Sequence, residues 1–192
     1  MLPLFACKHP LFARNNMIDT ELYQAKTLYP FQVSTIDNIL KEFKDNDKDF
    51  NLLFQLPTGG GKTVIFSEIT KRYIEQTKKK VLILTHRIEL SVQTSKQLSA
   101  IGVDNKVINS EVKEIADQDE FNCFIAMVET LNNRLNDDRN FITNVGLVIV
   151  DEAHYNSFRK IFQFYEEANI LGVTATPLSS NKALPLNDNY NK

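Results

Sequence analysis

Residues 55–63, which read QLPTGGGKT, have the types and spacing needed to hold a nucleoside triphosphate. The three glycines Gly59–Gly61 carry no Cβ atoms, so backbone N–H groups can converge on a phosphate. Lys62 adds a cation for the β- and γ-phosphate oxygens, and the Thr63 hydroxyl can ligate Mg²⁺ at the first turn of a helix. The predicted nucleotide-binding residues of this phosphate loop are Pro57, Thr58, Gly59, Gly60, Gly61, Lys62 and Thr63.

The loop departs from the full G-x-x-x-x-G-K-[ST] signature at one position, where Leu56 replaces the first glycine. A glycine-rich hairpin turn followed by an incidental Gly-Lys-Thr is the alternative interpretation. The flanking sequence favours the phosphate loop, because residues 50–56 are almost continuously apolar and a helical pattern follows residue 63. Such an apolar run is typical of a strand that is buried on both faces of a parallel sheet.

Two carboxylates follow the apolar run 148–150, at the point where a strand is predicted to end. That is the carboxyl edge at which α/β sheets bind their ligands. Asp151 can hold the Mg²⁺ that Thr63 also ligates, and Glu152 can orient and deprotonate the water that attacks the γ-phosphate. Alone, such a pair is also typical of a helix N-terminus, but its combination with the phosphate loop favours catalysis. The predicted catalytic residues are Lys62, Asp151 and Glu152, and the predicted metal ligands are Thr63 and Asp151.

Apolar runs alternate with helical patterns along the rest of the chain. This alternation predicts an α/β domain with a mainly parallel sheet and helices on both faces. The predicted strands lie at 50–56, 81–84, 106–108, 121–127, 147–150 and 170–173. The predicted helices lie at 31–43, 64–74, 88–100, 130–138 and 157–167.

Composition sets limits on the class of protein. With 192 residues, 43% hydrophobic and 24% charged, the chain is ordinary for one soluble globular domain. A net charge of -2 means that any nucleic acid must bind to a local face. Cys7 and Cys123 are too few for a disulfide framework or a Cys-x-x-Cys zinc site, and no apolar run reaches the length of a membrane span. We therefore expect a cytoplasmic protein without a membrane partner.

Residues Asp151–His154 spell DEAH, and Thr174–Thr176 read TAT. Together with the phosphate loop, these motifs resemble the first RecA-like domain of superfamily 2 DEAH-box helicases and translocases, a P-loop NTPase fold. In that family the first motif often lacks its leading glycine, as it does here at Leu56. The resemblance implies ATP as the nucleotide and Mg²⁺ as its metal. It also implies that His154, Thr174 and Thr176 couple the ATP site to strand binding.

Three further segments resemble motifs of the same family. Residues 28–32 read LYPFQ and are similar to the element whose glutamine contacts adenine, which implies that Gln32 binds ATP. Residues 85–90 read THRIEL and residues 128–131 read VETL, and both resemble motifs that hold nucleic-acid phosphates. The implied nucleic-acid-binding residues are Thr85, His86, Arg87 and Thr130. Tyr29 stands where the family has arginine, and Glu129 where it usually has glutamine.

The resemblance also implies a domain plan. We expect an N-terminal arm over residues 1–16, a RecA-like domain over 17–177, and a linker over 178–192 that leads towards a second RecA-like domain missing from this chain. In the family that second domain supplies an arginine finger, and such a finger is worth ~10³ to 10⁵ in rate. The isolated chain is therefore expected to hydrolyse ATP weakly.

The implied activity is ATP hydrolysis that drives movement on nucleic acid, or its unwinding, once the second domain is present. DNA is favoured over RNA as the partner. Two alternatives stay open: a truncated module that binds nucleotide or strand without motor activity, and a fragment of an RNA helicase. A P-loop kinase would need an acceptor pocket and a lid, which no stretch of the sequence suggests.

Overall fold

The computed structural model of this chain describes residues 27–46, 50–176 and Tyr190. The expected arm over 1–16 lies outside the described residues, and so does the expected linker except for Tyr190. The boundaries at 16 and 177 stay predictions for the same reason.

The described residues form one sheet of six parallel strands in the order β1-β6-β5-β2-β4-β3. All carboxyl ends of a parallel sheet lie along one edge, which brings distant segments of the sequence together. The strands are β1 Asn51–Gln55, β2 Lys80–Thr85, β3 Asn105–Ile108, β4 Cys123–Met127, β5 Val145–Asp151 and β6 Asn169–Thr174. The prediction of an α/β domain with a mainly parallel sheet is confirmed.

Helices cover both faces of the sheet, as predicted. Alternate side chains of the central strands point to opposite faces, so Val81 and Ile83 pack under one helical layer and Leu82 and Leu84 under the other. The first layer is built by α1, α2 and α3, and the second by α4 and α5. The helices are α1 Pro30–Asp45, α2 Lys62–Thr77, α3 Ile88–Ala100, α4 Val128–Asp137 and α5 Arg159–Phe162. Among the described residues no helix is both long and apolar enough to cross a bilayer.

The expectation that the strand before the phosphate loop is buried on both faces is wrong in part. β1 lies at the edge of the sheet and pairs with β6. Leu52 is buried, but Leu53 and Phe54 are half-buried and Gln55 is exposed. The apolar run predicted a strand correctly, but an edge position depends on the strand order, which local sequence does not encode.

The predicted helix over 157–167 is much shorter in the structure. A 3₁₀ turn over Asn156–Phe158 leads into α5, which ends at Phe162. Further on, Tyr165 N–H donates to the Phe162 carbonyl and Ala168 N–H to the Tyr165 carbonyl, which are tight turns. Because Phe158, Ile161 and Tyr165 are all buried, their helix-like spacing arises here from successive turns over the core.

Candidate functional site

The phosphate loop needs its glycines for separate physical reasons. Gly59 and Gly61 have φ values of 84° and 85°, in the left-handed region that favours glycine. A Cβ on Gly61 would lie 2.6 Å from Nε2 of Gln32, and a Cβ on Gly60 would lie 2.7 Å from Cγ of Leu56. Leu56, which replaces the motif's first glycine, therefore occupies the space beside Gly60. The loop ends where α2 begins at Lys62, so the N-terminus of that helix faces any bound phosphate.

Gln32 lies against this loop, although it comes from α1. It is only 5% exposed, and its Oε1 accepts a hydrogen bond of 3.0 Å from the backbone N–H of Tyr29. This bond belongs to the capping box of α1 and orients the carboxamide. Its amide nitrogen is thereby directed at Gly61. The structure thus places Gln32 beside the predicted ATP site, and its contact with the nucleotide stays a prediction.

Asp151 ends β5 and is 8% exposed. Burial and, to a lesser extent, the Glu152 carboxylate raise the pKa of Asp151 from 3.8 to about 6. A hydrogen bond of 3.0 Å from the Glu152 N–H and the positive charge of Lys62 act in the opposite direction. The tertiary structure therefore brings the carboxylate of Asp151 into the electrostatic field of Lys62, as the predicted catalytic set requires.

Asp151 and Thr63 suit the metal that the family implies. A buried carboxylate whose ionised form is disfavoured would gain from a divalent cation. Thr63 lies in the first turn of α2, next to Lys62, and offers a hydroxyl oxygen. Carboxylate and hydroxyl oxygens are hard ligands of the kind that Mg²⁺ prefers, and Mg²⁺ usually takes the rest of its coordination from phosphates and water. Binding of Mg²⁺ by these two residues stays a prediction.

The acidic turn, Asp151–His154, is held in a strained conformation. Glu152 has φ 56°, a left-handed value that costs a non-glycine residue roughly 1–2 kcal/mol. The turn is fixed at its other side, where Ala153 N–H donates to the Val173 carbonyl over 2.9 Å. The half-exposed side chain of Glu152 is thereby presented at the sheet edge next to Asp151.

Thr174 forms a junction between the phosphate loop and the acidic turn, because β6 lies between β1 and β5. Its backbone carbonyl accepts from Leu56 N–H over 3.0 Å, and its Oγ1 lies 3.2 Å from Nδ1 of His154. The same hydroxyl donates to the Thr176 carbonyl and accepts from the Thr176 N–H. Since its one proton is used there, Nδ1–H of His154 is the donor to Thr174. That tautomer also suits the Glu152 Oε2 atom, 3.3 Å from Nδ1.

The strand-end segment, Thr85–Arg87, offers fewer free groups. Thr85 is fully buried, and its Oγ1 lies 2.7 Å from Oγ of Ser91 in α3. His86 is half-buried, and burial together with the nearby His154 lowers its pKa. Arg87 is exposed at the N-cap of α3.

Thr130 is half-buried in the first turns of α4, which follows β4 directly. β4 pairs with β2, and Met127 is the register partner of Thr85, so the four predicted nucleic-acid contacts lie on neighbouring strand ends. Their contact with nucleic acid stays a prediction. In the geometry described here, the Thr85 hydroxyl is committed to the protein interior.

Sequence reasoning missed the aromatic surroundings of His86. Its ring packs edge-on against Tyr155, with centroids 4.2 Å apart, and against Phe158 at 4.5 Å. Oγ of Ser157 lies 3.5 Å from its Nε2. The aromatic residue directly after His154 is visible in the sequence, but its partner is 69 positions away and depends on the pairing of β2 with β5.

Comparisons with known proteins show related sequences and related folds. The profile of the family described as type III restriction enzyme, res subunit, matches residues 25–179. IRC3 of Saccharomyces cerevisiae, a protein named as an ATP-dependent helicase, is 34% identical over an alignment of 170 positions that covers 80% of this chain and 24% of that protein. The chain thus spans about a quarter of the length of this relative.

Solved structures show the same fold. The Pyrococcus furiosus Hef helicase domain superposes with a TM-score of 0.64 at 23% identity, covering 83% of this chain and 35% of that one. The Type ISP restriction-modification enzyme LlaGI, solved with a DNA substrate mimic, also gives 0.64, at 18% identity, covering 82% of this chain and 19% of that one.

Proposed function

This chain belongs to the family described as type III restriction enzyme, res subunit, and from that membership we propose its specific role. It has the first RecA-like, helicase-type ATP-binding domain of a superfamily 2 helicase. It binds Mg-ATP at the phosphate loop and takes part in DEAH-type hydrolysis that drives movement on DNA when a second RecA-like domain is present. The domain proper extends over 17–177, with the arm before it and the linker after it, in a cytoplasmic protein.

One observation carries this proposal. The edge formed by β1, β6 and β5 brings together the glycine cradle, Lys62, the buried carboxylate of Asp151 and the Thr174 junction. The loop and its lysine are neighbours in the sequence. The other groups come from separate segments, which only the fold brings together. This combination of a phosphate cradle, a cation and a metal-ligating carboxylate is what phosphoryl transfer from a nucleotide requires.

Each residue has a distinct task in the proposed reaction. The backbone N–H groups of the loop and the Lys62 ammonium bind and orient the phosphates, while Thr63 and Asp151 hold Mg²⁺. The metal, when bound, neutralises charge on the phosphate oxygens. Glu152 holds the attacking water and takes its proton. We expect weak hydrolysis by the isolated chain, because in this family the second RecA-like domain supplies the arginine finger.

We propose DNA as the nucleic acid that this chain binds. The proposal rests on the segments 85–90 and 128–131 and on the similarly folded LlaGI, which was solved with a DNA substrate mimic. The rival is a module that binds nucleotide or strand without motor activity. Adding the second RecA-like domain of a relative separates the two, because only a motor domain then shows ATPase activity that DNA stimulates. Stimulation by RNA but not by DNA would favour the RNA helicase fragment.

Nucleotide binding is tested by replacing the loop lysine. Lys62→Ala removes a charged hydrogen-bond donor to phosphate, so we expect the affinity for Mg-ATP to fall roughly 10²-fold. Lys71→Ala, which removes a cation further along the same helix, is the matched control and should leave the affinity unchanged. Isothermal titration calorimetry measures both, and circular dichroism checks that both fold. Equal affinity in the two variants would contradict the phosphate-loop assignment.

A further inference from the structure

Tyr155 contacts both the strand-end segment and the acidic turn. Its ring centroid lies 4.2 Å from that of His86, at an interplanar angle of 65°, and 4.2 Å from that of His154, at 37°. Residue 155 is 40% exposed, so its ring contacts both imidazoles while part of its surface stays in solvent. Its backbone N–H donates to the Glu152 carbonyl over 3.2 Å, which places the ring directly at the end of the acidic turn.

The His86 side of this contact is firmly packed. Phe158 lies on His86 from a second direction, with centroids 4.5 Å apart. Burial and the neighbouring His154 lower the pKa of His86, although the Glu129 and Glu152 carboxylates oppose this. A neutral imidazole can pack edge-on against an aromatic ring without losing the hydration of a charge. The His86 ring therefore has a defined position, and His86 directly precedes Arg87 in the chain.

The His154 side leads on to the ATP site. The His154 imidazole packs on Tyr155 at a tilted angle, while Nδ1 lies within 3.3 Å of both Thr174 Oγ1 and Glu152 Oε2. The Thr174 carbonyl in turn holds the N–H of Leu56, at the start of the phosphate loop. A continuous set of contacts thus runs from His86 through Tyr155 and His154 to Thr174. A backbone route also exists, because β2 pairs directly with β5.

We infer that Tyr155 is a positioning residue: by contacting both rings, it holds the strand-end segment and the acidic turn in one mutual arrangement, so that a change at either one alters the other. The functional meaning of this contact rests on the proposed ATP and strand binding. The contact itself does not, which allows the two to be tested separately. In the full reaction, Tyr155 transmits occupancy of the nucleic-acid-binding face to His154, whose Nδ1 lies 3.3 Å from Oε2 of Glu152.

The test is a double-mutant cycle in which the measured quantity is the chemical shift of the histidine rings. The sequence contains three histidines, His9, His86 and His154, so a ring ¹H–¹⁵N spectrum can be assigned with one substitution for each. Thr174→Val removes the hydroxyl that contacts His154, and we expect it to shift the His86 signals in the parent. In a Tyr155→Ala background the same substitution should leave the His86 signals in place. Coupling of this kind is isolated only by comparing the two backgrounds.

Matched variants separate the ring contact from general disturbance. Tyr155→Phe keeps both ring contacts and should restore the shift, whereas Tyr155→Leu keeps apolar volume without an aromatic ring and should not. Ile88→Ala removes a side chain of similar exposure two residues from His86 and should leave the cycle intact. If Tyr155→Ala does not fold, Tyr155→Leu replaces it in the cycle. A His86 shift of equal size in the parent and in the folded Tyr155 variant, or no shift in either, overturns the inference.

A nucleotide arm connects the contact to function. Saturation with Mg-ADP should shift His154 and His86 in the parent, but only His154 in Tyr155→Ala. If calorimetry detects no binding of Mg-ADP to the parent, the proposed function fails, while the Thr174→Val cycle still decides the role of Tyr155. If Mg-ADP binds and shifts both histidines equally in both proteins, coupling runs through the backbone ladder of β2 and β5, and the inference is wrong.

Discussion

The two halves of the sheet's carboxyl edge are built differently. At the ends of β1, β6 and β5 lie two left-handed glycines, a strained Glu152 and a buried carboxylate with a raised pKa. At the ends of β2 and β4, Thr85 is buried and bonded, His86 is packed among aromatic rings, and Arg87 is exposed. The first half stores strain and buried charge, whereas the second is relaxed and offers few free polar groups.

This difference indicates what each half is suited to do. Strain and desolvated charge are costly, and they persist where the fold holds chemical groups for a reaction. A surface that binds a nucleic-acid strand needs only a few groups that reach the repeating phosphate backbone, and it tolerates loose placement of those groups. We therefore expect substitutions in the first half to have large, specific effects and those in the second half to have small, additive ones.

The largest effect is expected for the proposed base. Glu152→Gln keeps the shape of the side chain but removes its basicity, so turnover should fall by ~10²-fold or more while Mg-ATP still binds. Glu129→Gln, at an exposed glutamate near the end of β4, is the matched control and should leave turnover unchanged. Phosphate release and calorimetry measure the two quantities. Equal turnover in both variants would remove Glu152 from the chemistry.

The next effect concerns stability and pH. Because the pKa of Asp151 is raised from 3.8 to about 6 in the folded state, the folded protein binds the proton more tightly than the unfolded chain does. Above pH 6 the buried charge therefore costs about 3 kcal/mol, and this cost declines as the pH falls from 6 towards 4. Asp151→Asn should stabilise the metal-free protein by up to that amount at about pH 8, and by little at about pH 4.

Urea unfolding of the parent and of Asp151→Asn at the two pH values measures this difference. The same variant should bind Mg-ATP more weakly, which would show that the site trades stability for function. A stability difference that does not change with pH would mean that the Asp151 carboxylate is not desolvated in solution.

The smallest effect is expected at the predicted nucleic-acid contacts, at the ends of β2 and β4. Arg87→Ala should weaken binding of single-stranded DNA equally for all base sequences, and reduce the magnitude of the salt slope by ~0.7, the value for one phosphate contact. Lys41→Ala, at an exposed lysine on α1, is the control. Fluorescence titrations at several salt concentrations decide the outcome. A variant with the affinity and slope of the parent would place the strand on another face.

Local sequence predicted the elements well where one signal dominated. The apolar run 81–84 and the helical period of 88–100 predicted β2 and α3 closely. The segment 157–167 failed because Phe158, Ile161 and Tyr165 have the spacing of a helix, yet tight turns bury the same three side chains. Apolar spacing reports which residues face the core, and two backbone paths can satisfy it here.

The residue types of the candidate site could be recognised from the sequence. Glycine, lysine, threonine and paired carboxylates each have few alternatives for their tasks, and a parallel sheet necessarily brings strand ends to one edge. The types of residue after β1 and β5 were therefore sufficient to predict a phosphate loop facing acidic groups.

The sequence by itself thus determined the strands, their parallel arrangement and the chemical types along their common edge, since these follow from local pattern and residue chemistry. Only the tertiary structure decided that β1 is an edge strand and that the ring of Tyr155 packs on His86, which lies 69 positions earlier in the chain. These features depend on strand order and on packing between residues far apart in the chain. Such contacts arise when the sheet assembles, because no single segment contains both of the partners.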